Sequence, residues 1–315
     1  MAPEKSGLGT SHGKIILLGE HAVVYNYPSI AIPFPETSIH TIVKPTSHQT
    51  VISCDFYTGL LGDMPELLDS LKECIRLCLS DINETNTALD IAIQSTIPAE
   101  RGMGSSAAVA VATTRAIYDY FNKELSQEKL LELVNTSEKI AHGNPSGLDA
   151  LMTSSSTPFY FKKGEEAIPL NINLEAVLVV ADTGETGQTK EAVESISNKL
   201  NGQEHDYYQS LINDLGLLTD KGRLALESNQ ATQLGTYMTQ AHHILKELGV
   251  SSTTLDKLVE TALTHQALGA KLTGGGRGGC MIALASDKIS AHEIAHRLEQ
   301  QGAKQTWVYE MSESK

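Results

Sequence analysis

The chain has 315 residues, 41% hydrophobic and 20% charged, with a formal net charge of −14. That length and apolar content specify a folded protein of one large domain or two lobes and exclude a disordered chain. The negative balance excludes general binding to nucleic acid or to an anionic membrane surface, and it demands that any nucleotide site be locally basic. Candidate cations for such a site are Lys14, Arg101, Lys139, Lys190, Lys271 and Arg277.

The opening MAPEKSGLGTSHGK lacks the apolar stretch of a leader peptide, and no apolar run approaches the roughly 20 residues that cross a bilayer. Short strands and turns follow: KIILLGEH, AVVYNYPSIAIP and HTIVKP, punctuated by Pro28, Pro33, Pro35 and Pro45. Apolar spacing predicts a helix over 67–82, and alternation of Leu89, Ile91 and Ile93 predicts a half-buried strand over 87–98. A helix from about 105 to 121 comes next. Ser126 caps another, which ends at the breaker GNPSG, 143–147. AVLVVAD (176–182) reads as a buried strand, and 188–268 as almost wholly helical with weak breaks near 202 and 249–253. A glycine-rich loop feeding a strand (271–286), a helix (290–301) and the strand QTWVYEM close the chain. Cys54, Cys74, Cys78 and Cys280 follow no disulfide or zinc pattern, so they are expected to be reduced, structural thiols in a cytoplasmic protein. His242 and His243 carry no paired ligand pattern and read as structural.

The segment IPAERGMGSSAAVAVATT, 97–114, runs from a strand through a glycine pair into an alanine-rich helix. Glycines let the backbone approach an anion, and the first helical N–H groups point at it, so this is a phosphate pocket in outline. It is not a Walker A loop: in GLGTSHGKI the position five before Gly13 is Leu8, and Ile15 follows Lys14. Gly102, Gly104 and Ala107 match a dinucleotide fingerprint, but no strand candidate lies between 122 and 150 to complete that unit. Ser105 and Ser106 stand at the helix start, where one can cap the helix and the other bind a metal.

Three motifs in order, GKIILLGEHAVVY (13–25), RGMGSSAA (101–108) and KLTGGGRGGC (271–280), resemble the GHMP kinase superfamily. Within it, GEHAVVY and EKIAHGNPSGLD (138–149) most resemble the mevalonate kinase family. Two departures stand out: His12 precedes Gly13 where the family commonly has proline, and Glu100 and Arg101 precede Gly102 where it has more glycine and proline. The resemblance implies an α+β, two-lobed GHMP kinase fold. Its N-terminal lobe (1–170) would be of ribosomal-protein-S5-like type, its C-terminal lobe (171–315) ferredoxin-like with added helices, with a ligand cleft between them. It implies ATP- and Mg²⁺-dependent phosphorylation of (R)-mevalonate to 5-phosphomevalonate. Another GHMP small-molecule kinase, acting on phosphomevalonate or homoserine, is the alternative. A homodimer is compatible with the resemblance, and the sequence itself does not report oligomeric state.

Site roles carry over residue by residue. Asp149 is the implied base and Lys14 its partner. Arg101, Gly102, Met103, Gly104, Ser105, Ser106 and Ala107 line the ATP phosphates. Ser106 and Glu138 hold Mg²⁺, and Glu20, His21 and Thr189 line the acceptor pocket. Gly274 to Gly279 read as a loop packed on the phosphate loop, with Arg277 either reaching an anion or lying on the surface. Read without the family, Asp149 is a loop or capping aspartate and Glu138 an exposed helix carboxylate, and His21 can be a core histidine.

Overall fold

A computed structural model describes residues 5–142 and 146–311. Gly143, Asn144 and Pro145 of the predicted breaker lie outside the described residues. In chain order the elements begin β1 (Gly7–Leu18), β2 (Ser29–Pro45), β3 (Val51–Cys54), β4 (Tyr57–Leu60), α1 (Asp69–Asp81), β5 (Leu89–Ser95), α2 (Ser105–Tyr120), α3 (Gln127–His142) and α4 (Leu148–Ser154). They continue β6 (Phe159–Phe161), β7 (Ile168–Pro169), β8 (Val177–Asp182), α5 (Thr189–Leu200), α6 (His205–Glu227), α7 (Ala231–Glu247), α8 (Thr253–Thr264), β9 (Gly269–Thr273), β10 (Cys280–Ala285), α9 (Lys288–Gln300) and β11 (Gln305–Glu310). Among the described residues no helix is long and apolar enough to cross a membrane.

Two compact units divide these elements. The first comprises residues up to Gly13, Pro35–Pro98 and Gly104–Ser155; the second comprises Lys14–Phe34, Ala99–Met103 and Ser156 onward.

In the first unit β4 pairs with β3, β3 runs parallel to β5, and β5 pairs antiparallel with the Ile39–Pro45 part of β2. Ile39, Val43, Ile52, Leu89 and Ile91 are fully buried on this sheet. Helices α1, α2 and α3 pack on one another, and α4 packs on α2. Cys74 and Cys78 on α1 are buried thiols against Thr114 of α2, as their helical spacing predicted, and the four cysteines are free.

The start of β1 was hidden in the sequence by its glycines, and those glycines are what admit α2. A side chain at Gly9 would place its Cβ 2.0 Å from the Ala112 carbonyl oxygen, and one at Gly7 2.3 Å from that of Ala116. Ser11 continues the row, its Oγ donating to the Ala108 carbonyl at 2.7 Å. Residues two apart on a strand advance about 6.7 Å and residues four apart on a helix about 6 Å, so 7, 9 and 11 can step along 116, 112 and 108. Gly9→Ala should therefore cost about 2–3 kcal/mol through overpacking against backbone that cannot yield. Urea unfolding of that variant checks this, and an unchanged midpoint would contradict it.

In the second unit β11, β8, β10 and β9 form an antiparallel sheet in that order. Taken as the first to fourth strands of this region, β8, β9, β10 and β11 stand in the order 4-1-3-2. With a helix after the first strand and another after the third this is the ferredoxin-like βαββαβ plan; four helices, α5–α8, lie between β8 and β9 where the plan needs one, so three are added. The strands β8 and β10 are buried along their whole length, as their unbroken apolar runs require. Phe34 packs edge-on against Trp307 and Tyr309 of β11.

One local expectation is refined and one needs correction. Of the strands and turns expected in AVVYNYPSIAIP, AVVY is a 3-10 turn (Ala22–Tyr25), after which Asn26 takes a left-handed conformation (φ 64°). The helical run 188–268 breaks also at 228–230, where Asn229 adopts φ 52° and its Oδ1 accepts the Glu175 N–H at 2.8 Å. Asparagine takes this conformation at modest cost, which makes it a helix stop that periodicity alone does not reveal.

Candidate active site

In the first unit, Gly104 occupies the cap position of α2 in a left-handed conformation (φ 74°), and no side chain caps the helix. The expectation that one serine caps is thus corrected: glycine takes the turn, and Ser105, Ser106 and Ala107 form the first turn of the helix. Their N–H groups have no acceptor within the helix, which suits the position to an anion. Ala107 is fully buried and can offer only backbone.

Ser106 Oγ donates to Glu138 Oε1 at 2.7 Å, and Glu138 is only 2% exposed. A hydroxyl on α2 and a carboxylate from α3, thirty-two residues apart, meet where the sequence expected one metal. These are hard oxygen donors, few in number, as Mg²⁺ prefers when phosphate and water complete its shell. The donor set fits the ion. Asp149 lies in the first turn of α4, after Gly147 at φ 85°. Its carbonyl accepts Thr153 Oγ1 at 2.8 Å, and Leu151 N–H bonds the Gly147 carbonyl at 3.2 Å, so the backbone carrying the carboxylate is anchored.

In the second unit, the Lys14 N–H donates to the Met103 carbonyl at 3.0 Å, and the Lys14 side chain is buried. Gly102 lies against Gly274: a Cβ on Gly102 would come within 3.1 Å of the Gly274 Cα, and both residues have positive φ. The packing of the third motif on this end of the phosphate loop was legible in the sequence. Arg101 is committed elsewhere. Its Nε pairs with Asp182 Oδ1 at 2.9 Å, and its terminal nitrogens donate to the carbonyls of Gly184 and Ala99. That leaves its backbone rather than its guanidinium for a phosphate. Arg277 Nε donates to the Gly249 carbonyl at 3.3 Å.

The turn Gly19–His21 is tight. A Cβ on Gly19 would fall 2.3 Å from the Pro28 oxygen, and His21 itself adopts φ 60°. Positive φ is uncommon for a residue with a side chain and marks a conformation that the surroundings enforce. His21 Nε2 lies 3.1 Å from the Gly275 carbonyl, which only accepts, so Nε2 carries the proton and Nδ1 is the acceptor. Burial lowers the His21 pKa to about 4, and the charges of Lys271 and Arg277 reinforce this. Thr189 opens α5, exposed, with its Oγ1 beside Gly275. Gly275 thereby adjoins two of the expected acceptor residues.

Glu20 departs from the expectation of a substrate contact. It is 1% exposed and ion-paired with Lys271, which is fully buried. A buried carboxylate requires a counter-ion, and the partner comes from 251 residues away. The sequence offered Lys271 as a cation but gave no sign of this pairing.

His242, at the core of the same unit, accepts the Leu272 N–H at Nδ1 and lies 3.3 Å from Asp256, and burial lowers its pKa to about 4. The fold holds both His21 and His242 neutral, while unfolded histidine titrates near 6.5. The stability they contribute is complete above about pH 6.5 and is lost as pH falls toward 4, by at most about 3 kcal/mol each. This window lies above that of Asp287, whose pKa of about 2 is set by hydrogen bonds from Ser290. Melting temperatures should fall steeply between pH 6.5 and 4.5, and a flat profile there would contradict the assignment.

Comparison with known proteins agrees with the motifs. The GHMP kinases N terminal domain model matches residues 69–156 and the GHMP kinases C terminal model residues 223–304. A mevalonate kinase of Pyrococcus horikoshii is 34% identical over 300 residues, covering 88% of each chain. One of Aeropyrum pernix is 36% identical over 293 residues, covering 89% of each. The crystal structure of mevalonate kinase from methicillin-resistant Staphylococcus aureus MRSA252 superposes with TM-score 0.76 at 34% identity, covering 98% of this chain and 99% of that one. The L. major mevalonate kinase in complex with R-mevalonate shares the fold, with TM-score 0.82 at 24% identity and 98% coverage of both. The chain belongs to the GHMP kinase family and has its fold. It is an enzyme, a phosphotransferase acting on an alcohol group, and the relatives that carry this conclusion are mevalonate kinases.

Proposed function

We propose that the chain transfers the γ-phosphoryl group of ATP to the 5-hydroxyl of (R)-mevalonate, yielding 5-phosphomevalonate for isoprenoid synthesis. The observation that carries the reading is the hydrogen bond of 2.7 Å between Ser106 and Glu138 at the start of α2. It assembles a hard-oxygen pair beside helical N–H groups, which is what a magnesium–triphosphate needs. The mevalonate carried by the L. major relative supports the acceptor.

Phosphoryl transfer asks mainly for positioning, charge neutralisation and a base. Backbone N–H groups of Gly102 to Ala107, with the backbone of Arg101, hold the phosphates. Ser106 and Glu138 hold Mg²⁺, which neutralises charge on the phosphates when bound. Asp149 takes the proton of the acceptor hydroxyl. The ammonium of Lys14 favours the alkoxide as it forms. His21 accepts a hydrogen bond from the acceptor at Nδ1, and Thr189 donates its hydroxyl. In this reading residues 1–170 form the N-terminal lobe, with the phosphate loop and the base, and residues 171–315 the C-terminal lobe. The protein works on small molecules in the cytoplasm, not on nucleic acid.

A coupled ADP-release assay with MgATP tests the acceptor against a panel of mevalonate, phosphomevalonate, homoserine and galactose. Turnover on mevalonate alone is expected. Preference for another acceptor would keep the family and remove this substrate.

A further inference from the structure

Within the second unit three ionisable groups are buried together on the first and third motifs: Lys14, Glu20 and Lys271 are 3%, 1% and 0% exposed. Lys271 Nζ contacts Glu20 Oε1 directly and donates a second bond to the Leu272 carbonyl at 2.6 Å. Lys271 meets Glu20 by contact, and the charge of Lys14 acts on Glu20 as well. The other oxygen of Glu20 is buried and has no hydrogen-bond partner among the described residues. Two further bonds fix the frame: Thr273 Oγ1 donates to the Ile16 carbonyl at 2.8 Å, and His21 Nε2 to the Gly275 carbonyl at 3.1 Å. Lys271 thus stands in the middle of β9, whose last residue, Thr273, is bonded to the end of β1.

In a low-dielectric interior a carboxylate with an unsatisfied oxygen attracts whatever cation is near. With Lys271 in place, its charge is met by contact. Without Lys271, the remaining buried cation on these motifs is Lys14, the group assigned to the transferring oxygen. We propose that Lys271 is a positioning residue: it serves as the dedicated counter-ion of Glu20, and so reserves the Lys14 ammonium for the reaction. The inference rests on the kinase reading above. It acts through Lys14 and places Lys271 itself in no contact with substrate.

The test is steady-state kinetics with MgATP and mevalonate, per folded enzyme, well below each variant's melting temperature. Lys271→Met should lower kcat about 10–100-fold, the cost typical of removing a group that orients another, with KM for ATP unchanged. Adding Glu20→Gln to that variant should raise kcat again about tenfold, because the competing charge is gone. Lys271→Arg should lose less than Lys271→Met. Should Lys271→Met fail to fold, the double variant is the one read. Replacing both members of a buried pair by neutral side chains of similar size is tolerated far better than removing one. Its kcat should then stay above about a tenth of wild type, the remainder once the competing charge is gone. Lys271→Met with wild-type kcat, or a double variant no better than Lys271→Met, would overturn the proposal while leaving the kinase reading intact. A purely structural pair would lower melting temperature and leave kcat of the folded enzyme alone. Silence of the wild type on every acceptor would remove the kinase reading, and this inference with it.

Discussion

Asp149→Asn is expected to lower kcat about 10³-fold or more, with ATP affinity nearly unchanged. Asparagine keeps the size of the side chain and one acceptor oxygen, but it cannot take a proton at neutral pH. The backbone at this position is held by Gly147, Leu151 and Thr153 independently of the carboxylate, so the substitution leaves α4 in place. The loss should therefore fall on kcat and not on folding. Nucleotide binding followed by fluorescence, beside turnover on mevalonate, separates the two. Turnover within tenfold of wild type would remove Asp149 from the role of base.

Glu138→Gln should show the second largest effect, about a 10²-fold loss of kcat at limiting Mg²⁺ and at least a tenfold rise in the Mg²⁺ concentration giving half-maximal rate. Glutamine can still accept the Ser106 hydroxyl, so the contact between α2 and α3 persists while the charge disappears. That separation matters, because Glu138 is nearly inaccessible and a truncation would damage packing as well. Metal titration of the activity reads the charge specifically. A wild-type Mg²⁺ dependence would exclude Glu138 as a ligand and leave it as a buried partner of Ser106.

Much of the scaffold was legible because it obeys local rules. The apolar spacing of 67–82 became α1, the alternation of Leu89, Ile91 and Ile93 became β5, and Ser126 does cap α3, its Oγ accepting the Lys129 N–H at 3.1 Å. The unbroken run AVLVVAD became the buried strand β8. What escaped was non-local or conformational. Gly7 and Gly9 look like loop residues until Ala112 and Ala116 are seen pressed against them. The hairpin of β3 and β4 turns through Asp55 and Phe56 without the glycine that marks such turns. Pro33 and Pro35 read as punctuation, yet they lie inside β2, between the stretch that pairs with β6 and the stretch that pairs with β5.

The site divides the same way. The motifs supplied its candidate residues, because phosphate and metal chemistry restricts side-chain type at each position. They did not name the partners that fix those residues. Arg101 was weighed as a phosphate ligand and is bound instead to Asp182. Glu20 was weighed as a substrate contact and is bound to Lys271. In both cases a charge beside a functional motif has its own counter-ion far along the chain, and only the fold brings the two together.

The most direct measurement is phosphorus NMR of the product made by the wild-type enzyme from MgATP and (R)-mevalonate. A single new phosphomonoester signal, split by one methylene group and growing in step with ADP, is the predicted result, since it places the phosphoryl group on the primary alcohol. ADP accompanied only by inorganic phosphate, or a signal without methylene coupling, would contradict it.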